Sequence, residues 1–456
     1  MHMAVTEGLL LLGTALAIFW QPLAGRIPLK ASDIAFGLAV CAWMGWLLHP
    51  KRGSGRFATP LGVMLPLLVL FASVVVATLF GHWRYNLSMS RGGIILLGRL
   101  AVCIVLFLAT YHVSRADRLF GRRVSLALLS PVVLIPAMLV PTLSARMWVQ
   151  GRFQGLTVNP NTADLGFCIA FALAFTLALF DLRAGRRVRA LCPALVAAAM
   201  LMLIIWTQSR AYIVGAFASV VVGAILTASG VHLRRTRTVA VAAMVFLLIV
   251  IASLLLAPHP LVSSYLARLS WGTLAPPSSD TQAQGRSGPP AGRQALAWSN
   301  WLMRGGRPTF IHDHVGALDD LERVRNGGLR RLLENPHVQA AILYAQLLPS
   351  NPLGLGVNYE EKFFVYFPWI NGLHHGTNSI LDIPIYGGVG AVLSVGYLML
   401  LVARKSRDRS KHGADDALPY ANGAAAALAG LWVAATLLGS PIFDYQFWVV
   451  TAIALT

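Results

Sequence analysis

The chain has 456 residues, of which 56% are hydrophobic and 12% are charged, and its mean hydropathy is +0.65. Because soluble domains carry about 25% charged residues, this composition excludes an ordinary soluble protein and predicts a polytopic membrane protein. The formal net charge of +19 is spread over many loops instead of one domain, which argues against nucleic acid as a partner. The cysteines lie in or beside apolar segments, so we expect buried packing residues and no disulfide framework; they are Cys41, Cys103, Cys168 and Cys192.

The hydropathy pattern predicts about twelve transmembrane helices. A helix satisfies its own backbone hydrogen bonds in lipid, and about 20 apolar residues cross the hydrocarbon core. The predicted spans are residues 6–24, 34–48, 60–80, 93–111, 124–141, 162–181, 190–206, 211–228, 238–257, 379–403, 419–438 and 443–456.

The orientation follows from the distribution of Lys and Arg over the short loops, because cytoplasmic loops are enriched in both. One alternating set of loops carries nineteen of them, around residues 51–56, 115–123, 183–189, 234–237 and 404–411, whereas the other short loops carry seven. This bias predicts that both termini lie in the cytoplasm.

One long polar segment, residues 258–378, interrupts the apolar pattern and contains six of the twelve histidines. It separates residues 1–257, with nine predicted spans, from residues 379–456, with three. The charge bias places the segment outside, as a large loop. We expect a flexible part at residues 271–292, which are rich in Pro, Ser, Gly and Gln, and at least two helices over the membrane face.

One residue and one loop that precede the large loop in the chain are candidates for a functional role. Arg99 lies inside the fourth predicted span, and an intramembrane arginine either has a function or pairs locally. Between the fifth and sixth spans, Arg146, Arg152 and an Asn-Pro-Asn turn form either a polar pocket wall or an ordinary capped loop, with Asn161 able to cap the next helix.

A short polar turn, residues 207–212, joins the seventh and eighth spans. Ser209 or Thr207 can cap the eighth helix, and Arg210 then stands in its first turn. A cation there opposes the helix dipole, which suggests an anionic partner, although an interfacial anchor explains the same position.

Several short motifs follow one another along the chain, and all of them lie on the same predicted membrane face. They are Arg152-Phe-Gln-Gly with Asn159-Pro-Asn, Ser209-Arg210 at a helix start, Asn351-Pro-Leu-Gly-Leu-Gly, His375-Gly-Thr-Asn-Ser and Gly387-Gly-Val-Gly. This combination resembles the O-antigen ligase and polymerase superfamily over roughly the last two thirds of the chain.

The resemblance implies an all-α, GT-C-like membrane protein of the bacterial inner membrane whose active site faces the periplasm. Ligases of this kind transfer a glycan from undecaprenyl diphosphate to a sugar hydroxyl of the lipid A core. The implied partners are therefore the lipid-linked donor, the lipid A-core acceptor and membrane lipids.

The resemblance also implies roles for individual residues. In the family, arginines bind the donor diphosphate and a late-loop histidine is essential. Arg210 matches the Ser-Arg position and His375 the histidine, although Thr377 stands directly before Asn-Ser, where family members usually have histidine. The further candidates are His374 for the histidine; Arg152, Arg146, Arg331 and Arg330 for the diphosphate; and His337, Asn378, Asn161 and Arg99 for other site roles.

This division of labour is chemically reasonable. Arginine remains ionised and binds phosphate oxygens in a bidentate manner, so it can hold the diphosphate leaving group. Histidine accepts a proton near neutral pH, as activation of a sugar hydroxyl requires. The scheme needs no metal and no cofactor. His312-Asp-His314 has weak metal-ligand spacing and is interpreted as a solvated turn.

Two other classes of function stay open. An O-antigen polymerase or a protein O-oligosaccharyltransferase shares the donor and differs in the acceptor. A secondary transporter with twelve helices is the alternative from another class. Transport is disfavoured because no matching Gly/Pro-broken helices are visible in the two halves of the sequence.

Overall fold

The computed structural model of the protein describes residues 2–17, 31–47, 59–85, 91–117, 119–141, 144, 147–149, 152–153, 155, 160–228, 241–251, 348–349, 351–357, 379–412, 418–438 and 441–456. The predictions for most of residues 258–378, including the two surface helices and the flexible part, lie outside these residues.

The described chain is nearly all helical. Its helices are α1 (His2–Leu16), α2 (Ala31–Leu47), α3 (Leu61–Tyr85), α4 (Arg91–Ala116), α5 (Phe120–Leu128), α6 (Leu134–Ala137), α7 (Pro160–Arg183), α8 (Arg187–Trp206), α9 (Arg210–Thr227), α10 (Val241–Ile251), α11 (Ser379–His412), α12 (Leu418–Leu438) and α13 (Tyr445–Leu455). Single 3₁₀ turns lie at Ser130–Val133 and Pro441–Phe443, and a hairpin pairs β1 (Trp148–Val149) with β2 (Arg152–Phe153).

A polytopic helical membrane protein fits this architecture. Within the described residues, eight segments are long and apolar enough to cross a membrane. Four shorter apolar helices, α1, α2, α10 and α13, occupy the places of the other predicted spans. The total of twelve crossings therefore stays a prediction.

The fifth predicted span differs from the expected continuous helix. It consists of α5, the 3₁₀ turn Ser130–Val133 and α6. Proline removes an amide donor and disfavours the helical conformation of the residue before it, and Pro131 and Pro136 both lie in this segment. The apolar pattern predicts the position of the segment but not its division.

The centre of the bundle is formed by α7, α9 and α12, which pack through small residues. A Cβ atom added at Gly215 of α9 would lie 2.5 Å from the carbonyl oxygen of Gly430 in α12. Ser219 of α9 also faces Gly430, and Gly223 faces Thr176 of α7. Small residues let membrane helices approach closely and gain packing contacts that larger side chains prevent.

Helix α13 lies inside the bundle, against α4, α11 and α12. Every residue from Gln446 to Leu455 is buried. The Trp448 ring packs edge-on against Phe107 of α4, and its indole nitrogen donates to the carbonyl of Ile442 at 2.6 Å. The helix is hydrophobic all round, as expected of a helix covered by other helices.

The bundle has two chemically different ends. The basic end holds the loops around residues 115–123, 183–189 and 404–409. Arg183 donates to the carbonyl of Thr227 at the end of α9, and Lys405 interacts electrostatically with Arg115. The opposite end holds the β1–β2 hairpin, and we call it the hairpin end. The chain thus separates its most basic described loops from the motifs that resemble the ligase family, as the charge bias predicts.

The expectation of four buried cysteines is wrong for two of them. Cys103 and Cys168 are buried between helices, but Cys41 and Cys192 are exposed on the helix surface, where a membrane protein meets lipid. All four are free.

A candidate functional site at the hairpin end

The β1–β2 hairpin covers the beginning of α7 and the end of α8. Trp148 lies 5.7 Å from Trp206 of α8 between ring centroids, and the fully buried Phe153 stacks on Phe167 of α7 at 6.1 Å. Arg152 is paired with Val149 in the antiparallel register, so its backbone lies at this end. The sequence suggested only a pocket wall or a loop here, because a two-residue strand has no detectable periodicity.

The Ser-Arg motif lies at the same end, directly after Trp206. Ser209 is the N-cap residue of α9 in an extended conformation (φ −90°, ψ 103°), but its side chain makes no capping hydrogen bond. Arg210 is the first residue of α9 and is exposed, whereas Ser209 is buried. The predicted position of Arg210 in the first helical turn is confirmed, and the predicted cap by a Ser209 or Thr207 side chain is wrong.

The side chain of Thr207 instead bonds to a carboxylate on another helix. Its hydroxyl oxygen lies 2.7 and 2.8 Å from the two carboxylate oxygens of Asp164 in α7. Both residues are fully buried. A buried carboxylate needs such a partner, because desolvation without a hydrogen bond is costly. This pair ties the connection before Arg210 to α7.

Asp164 was not among the residues selected from the sequence, and Thr207 was considered only as a possible helix cap. The available signal was an acidic residue within an otherwise apolar span, which is the same signal that selected Arg99. The partner was not visible, since 43 positions separate the two residues.

A second polar cluster lies at the hairpin ends of α2, α4 and α13. The guanidinium carbon of Arg99 lies 5.2 Å from the centroid of the Tyr445 ring. Asp33 and Asp444 interact electrostatically with Tyr445 and with the thiol of Cys103. The local pairing considered for Arg99 is therefore present, as a cation–π contact with acidic groups nearby.

Asp444 connects the two clusters. Its Oδ1 accepts a hydrogen bond from the Gln446 amide at 2.8 Å and so caps α13. It also interacts electrostatically with Tyr212 of α9, as does Asp164. Buried or half-buried polar groups thus run beneath the hairpin end from α2 to α7, with Arg210 on the surface above them.

The Asn351–Val357 segment fills a break in α11. Gly387 and Gly388 have non-helical backbone angles, and Gly388 has φ +61°, which favours glycine. The amides of Leu355 and Gly356 both donate to the Ile385 carbonyl, at 2.7 and 3.2 Å. The Val389 amide on the far side of the break donates to Pro352 at 2.9 Å. Two of the glycine-containing motifs that resemble those of the ligase family therefore pack against each other.

The same segment also packs against α3. A Cβ atom added at Gly356 would lie only 2.2 Å from the Cα atom of Thr78, and the Val357 amide donates to the Thr78 hydroxyl at 3.2 Å. Helix α11 is therefore broken at a glycine pair, whereas the sequence argument against transport concerned matching broken helices in both halves of the chain. Asp382, in the first turn of this helix, is fully buried.

The remaining candidates divide into two groups. Asn161 is the second residue of α7, which begins at Pro160, so it does not have the predicted capping position. Proline is favoured at the first helical position, where no amide donor is needed. The other candidates lie outside the described residues; they are His374, His375, His337, Arg330, Arg331, Asn378 and Arg146.

Comparison with known proteins adds no family. No protein-family model matches this chain, and the curated proteins contain no match. The arguments for function therefore rest on the residues and their arrangement.

Proposed function

We propose that this protein is a glycosyltransferase of the O-antigen ligase type, which moves a glycan from undecaprenyl diphosphate to a sugar hydroxyl of the lipid A core. The hairpin end faces the periplasm and the basic end the cytoplasm of the bacterial inner membrane. Both termini are cytoplasmic, in keeping with the positive-inside rule.

The proposal depends chiefly on one arrangement. Motifs from distant parts of the chain share the hairpin end, because the Arg152 strand packs on α7 and α8 and Arg210 begins α9 beside them. The Asn351–Val357 segment and the start of α11 occupy the same end. These are the motifs whose order resembles the ligase family.

The proposed chemistry assigns roles to Arg210 and His375. Arg210 binds the donor diphosphate and neutralises the charge that grows as the glycosidic carbon–oxygen bond breaks. His375 accepts the proton of the acceptor hydroxyl as that oxygen attacks the same carbon from the opposite face, so the reaction inverts the anomeric centre. The diphosphate leaves on its lipid. These steps require only groups of the chain and the two substrates.

The test is transfer in vitro from undecaprenyl-diphosphate glycan to lipid A core, with purified protein and a chelator present. We expect the wild type to transfer glycan and Arg210→Ala and His375→Ala to lose at least about 100-fold in rate. Arg187→Ala is the matched control for Arg210, since Arg187 is also an exposed first residue of a helix but lies at the basic end. His312→Ala is the control for His375.

The acceptor arm of the experiment separates the related activities. Transfer to a second lipid-linked glycan or to a protein, with no transfer to the lipid A core, would replace ligase by polymerase or protein glycosylation. Full activity of Arg210→Ala would remove Arg210 from the mechanism. Loss of all activity on chelation would refute the metal-free scheme.

Secondary transport is the second candidate, because the break in α11 is a feature that transporters use for binding. Proteoliposomes with a proton or sodium gradient test it. Gradient-driven accumulation of a solute without glycan transfer would favour transport over the enzyme.

A further inference from the structure

The turn between α8 and α9 contains a backbone conformation that needs outside support. Gln208 has φ +60°, and it is the one non-glycine residue with positive φ in the described part of the chain. A side chain disfavours this left-handed conformation, so other contacts must hold it. Arg210 follows two positions later.

The hydroxyl of Thr207 supplies contacts on both sides of Gln208. It lies 2.7 Å from the Ile204 carbonyl in the last turn of α8, and it accepts the Ser209 amide at 3.4 Å. It also reaches both carboxylate oxygens of Asp164. One hydroxyl thereby joins the end of α8, the turn and the beginning of α7.

The turn and Arg210 differ in solvent exposure. Thr207, Gln208 and Ser209 are exposed by 0%, 6% and 5%, whereas Arg210 is exposed. The turn is therefore packed inside the protein up to the residue before the arginine. A shift of the turn would be transmitted to the start of α9 and to the guanidinium group.

We propose that Asp164 and Thr207 are positioning residues for Arg210: their hydrogen bond holds the left-handed turn at Gln208 and so fixes where the guanidinium meets the donor diphosphate. The inference rests on the proposed transferase function. A misplacement of about 1 Å in a group that stabilises a transition state can cost up to about 100-fold in rate.

The first test changes the hydroxyl while keeping the shape of the side chain. We expect Thr207→Val to lower kcat/KM for the lipid-linked donor by about 10- to 100-fold, and Thr207→Ser to stay within about threefold of wild type. Thr227→Val is the matched control. Thr227 is a buried threonine at the other end of α9, whose hydroxyl bonds to the Gly223 carbonyl at 2.7 Å. Equal losses in Thr207→Val and Thr227→Val would overturn the proposal.

A double-mutant cycle separates positioning from general stability. In an Arg210→Ala background, Thr207→Val should cost less than about twofold, because the group that it positions is already absent. A purely structural role predicts the same fold loss in both backgrounds, and that result would refute the inference.

Glycine at position 208 provides a rescue. Glycine adopts the left-handed conformation without steric strain, so Gln208→Gly should recover at least about fivefold of the activity lost in Thr207→Val. If Thr207 acts instead by donating a hydrogen bond to the buried carboxylate, glycine restores nothing, because the hydroxyl at position 207 is still missing.

A readout that does not need catalysis distinguishes failure of this inference from failure of the proposed function. A nitroxide label on Arg210→Cys, in a Cys41→Ser and Cys192→Ser background, reports local order by electron paramagnetic resonance. We expect a more mobile label in Thr207→Val than in Thr207→Ser. An inactive wild type with this mobility difference would refute the transferase function and keep the positioning of residue 210. An unchanged spectrum would refute the positioning.

Discussion

The contact between Gly356 and α3 leads to a quantitative prediction for Gly356→Ala. The new Cβ atom would lie 2.2 Å from the Thr78 Cα atom and 2.5 Å from its backbone nitrogen. Carbon atoms in contact are about 3.5–4.0 Å apart, so the segment must move by more than about 1 Å. Truncating Thr78 cannot relieve this clash, because the backbone itself is in the way.

The magnitude follows from what that movement breaks. The segment would lose three hydrogen bonds, from Leu355 and Gly356 to Ile385 and from Val357 to Thr78, each worth about 0.5–1.5 kcal/mol. Alanine at φ +78° adds about 1 kcal/mol of backbone strain. We therefore expect the free energy of unfolding to fall by about 4 kcal/mol.

Gly185→Ala is the matched control. Gly185 also has positive φ, +74°, but an added Cβ atom meets nothing within 4 Å. Only the strain of about 1 kcal/mol should remain. Denaturant titration of the detergent-solubilised protein, followed by tryptophan fluorescence, measures both variants. Equal destabilisation of the two variants would show that the segment is not held against Thr78.

Three further predictions concern the bundle. Arg99→Met should destabilise the protein by about 1 kcal/mol more than Arg84→Met, as measured by denaturant titration. Both guanidinium groups lie over an aromatic ring, but Arg84 is exposed at a helix end, where the contact is weaker. Gly430→Ala should cost about 1–3 kcal/mol by the same titration, since its Cβ atom would lie 2.6 Å from a backbone oxygen of α9. In intact inner-membrane vesicles of known sidedness, an impermeant maleimide should label Arg210→Cys from the periplasmic side and Arg187→Cys only from the cytoplasmic side, and the reverse pattern would refute the orientation.

Hydropathy and charge predicted the class of fold because they report burial in lipid directly. The positions of the helices follow from apolar length, and the grouping of loops around Arg183 and Lys405 at one end follows from the charge bias. The hairpin at Trp148 was not predictable, since its strands are too short to show a period. In the sequence, the break at Gly388 was visible only as a glycine pair. The segment that fills the break lies more than thirty residues earlier in the chain, so the sequence did not show what the break accommodates.

The candidate site was predictable only where one residue carries the signal. Arg210 could be placed because a charge at a helix start is a local feature. Asp164 and Thr207 matter because they form a hydrogen bond with each other, and 43 positions separate them in the chain. No local sequence pattern predicts a contact over that distance. The same holds for Arg99 and Tyr445, whose contact joins α4 to α13.

The filling of the break in α11 bears on the choice between transferase and transporter. A discontinuous transporter helix presents free amide and carbonyl groups to its substrate at the break. In this protein the Ile385 carbonyl accepts two amides, and the Val389 amide is bonded to Pro352. Irregular backbone at membrane depth is stable when protein groups satisfy it, and that is its state here. The break therefore serves to dock the Asn351–Val357 segment. In the proposed transferase, the exposed Arg210 and not the break binds the anionic ligand.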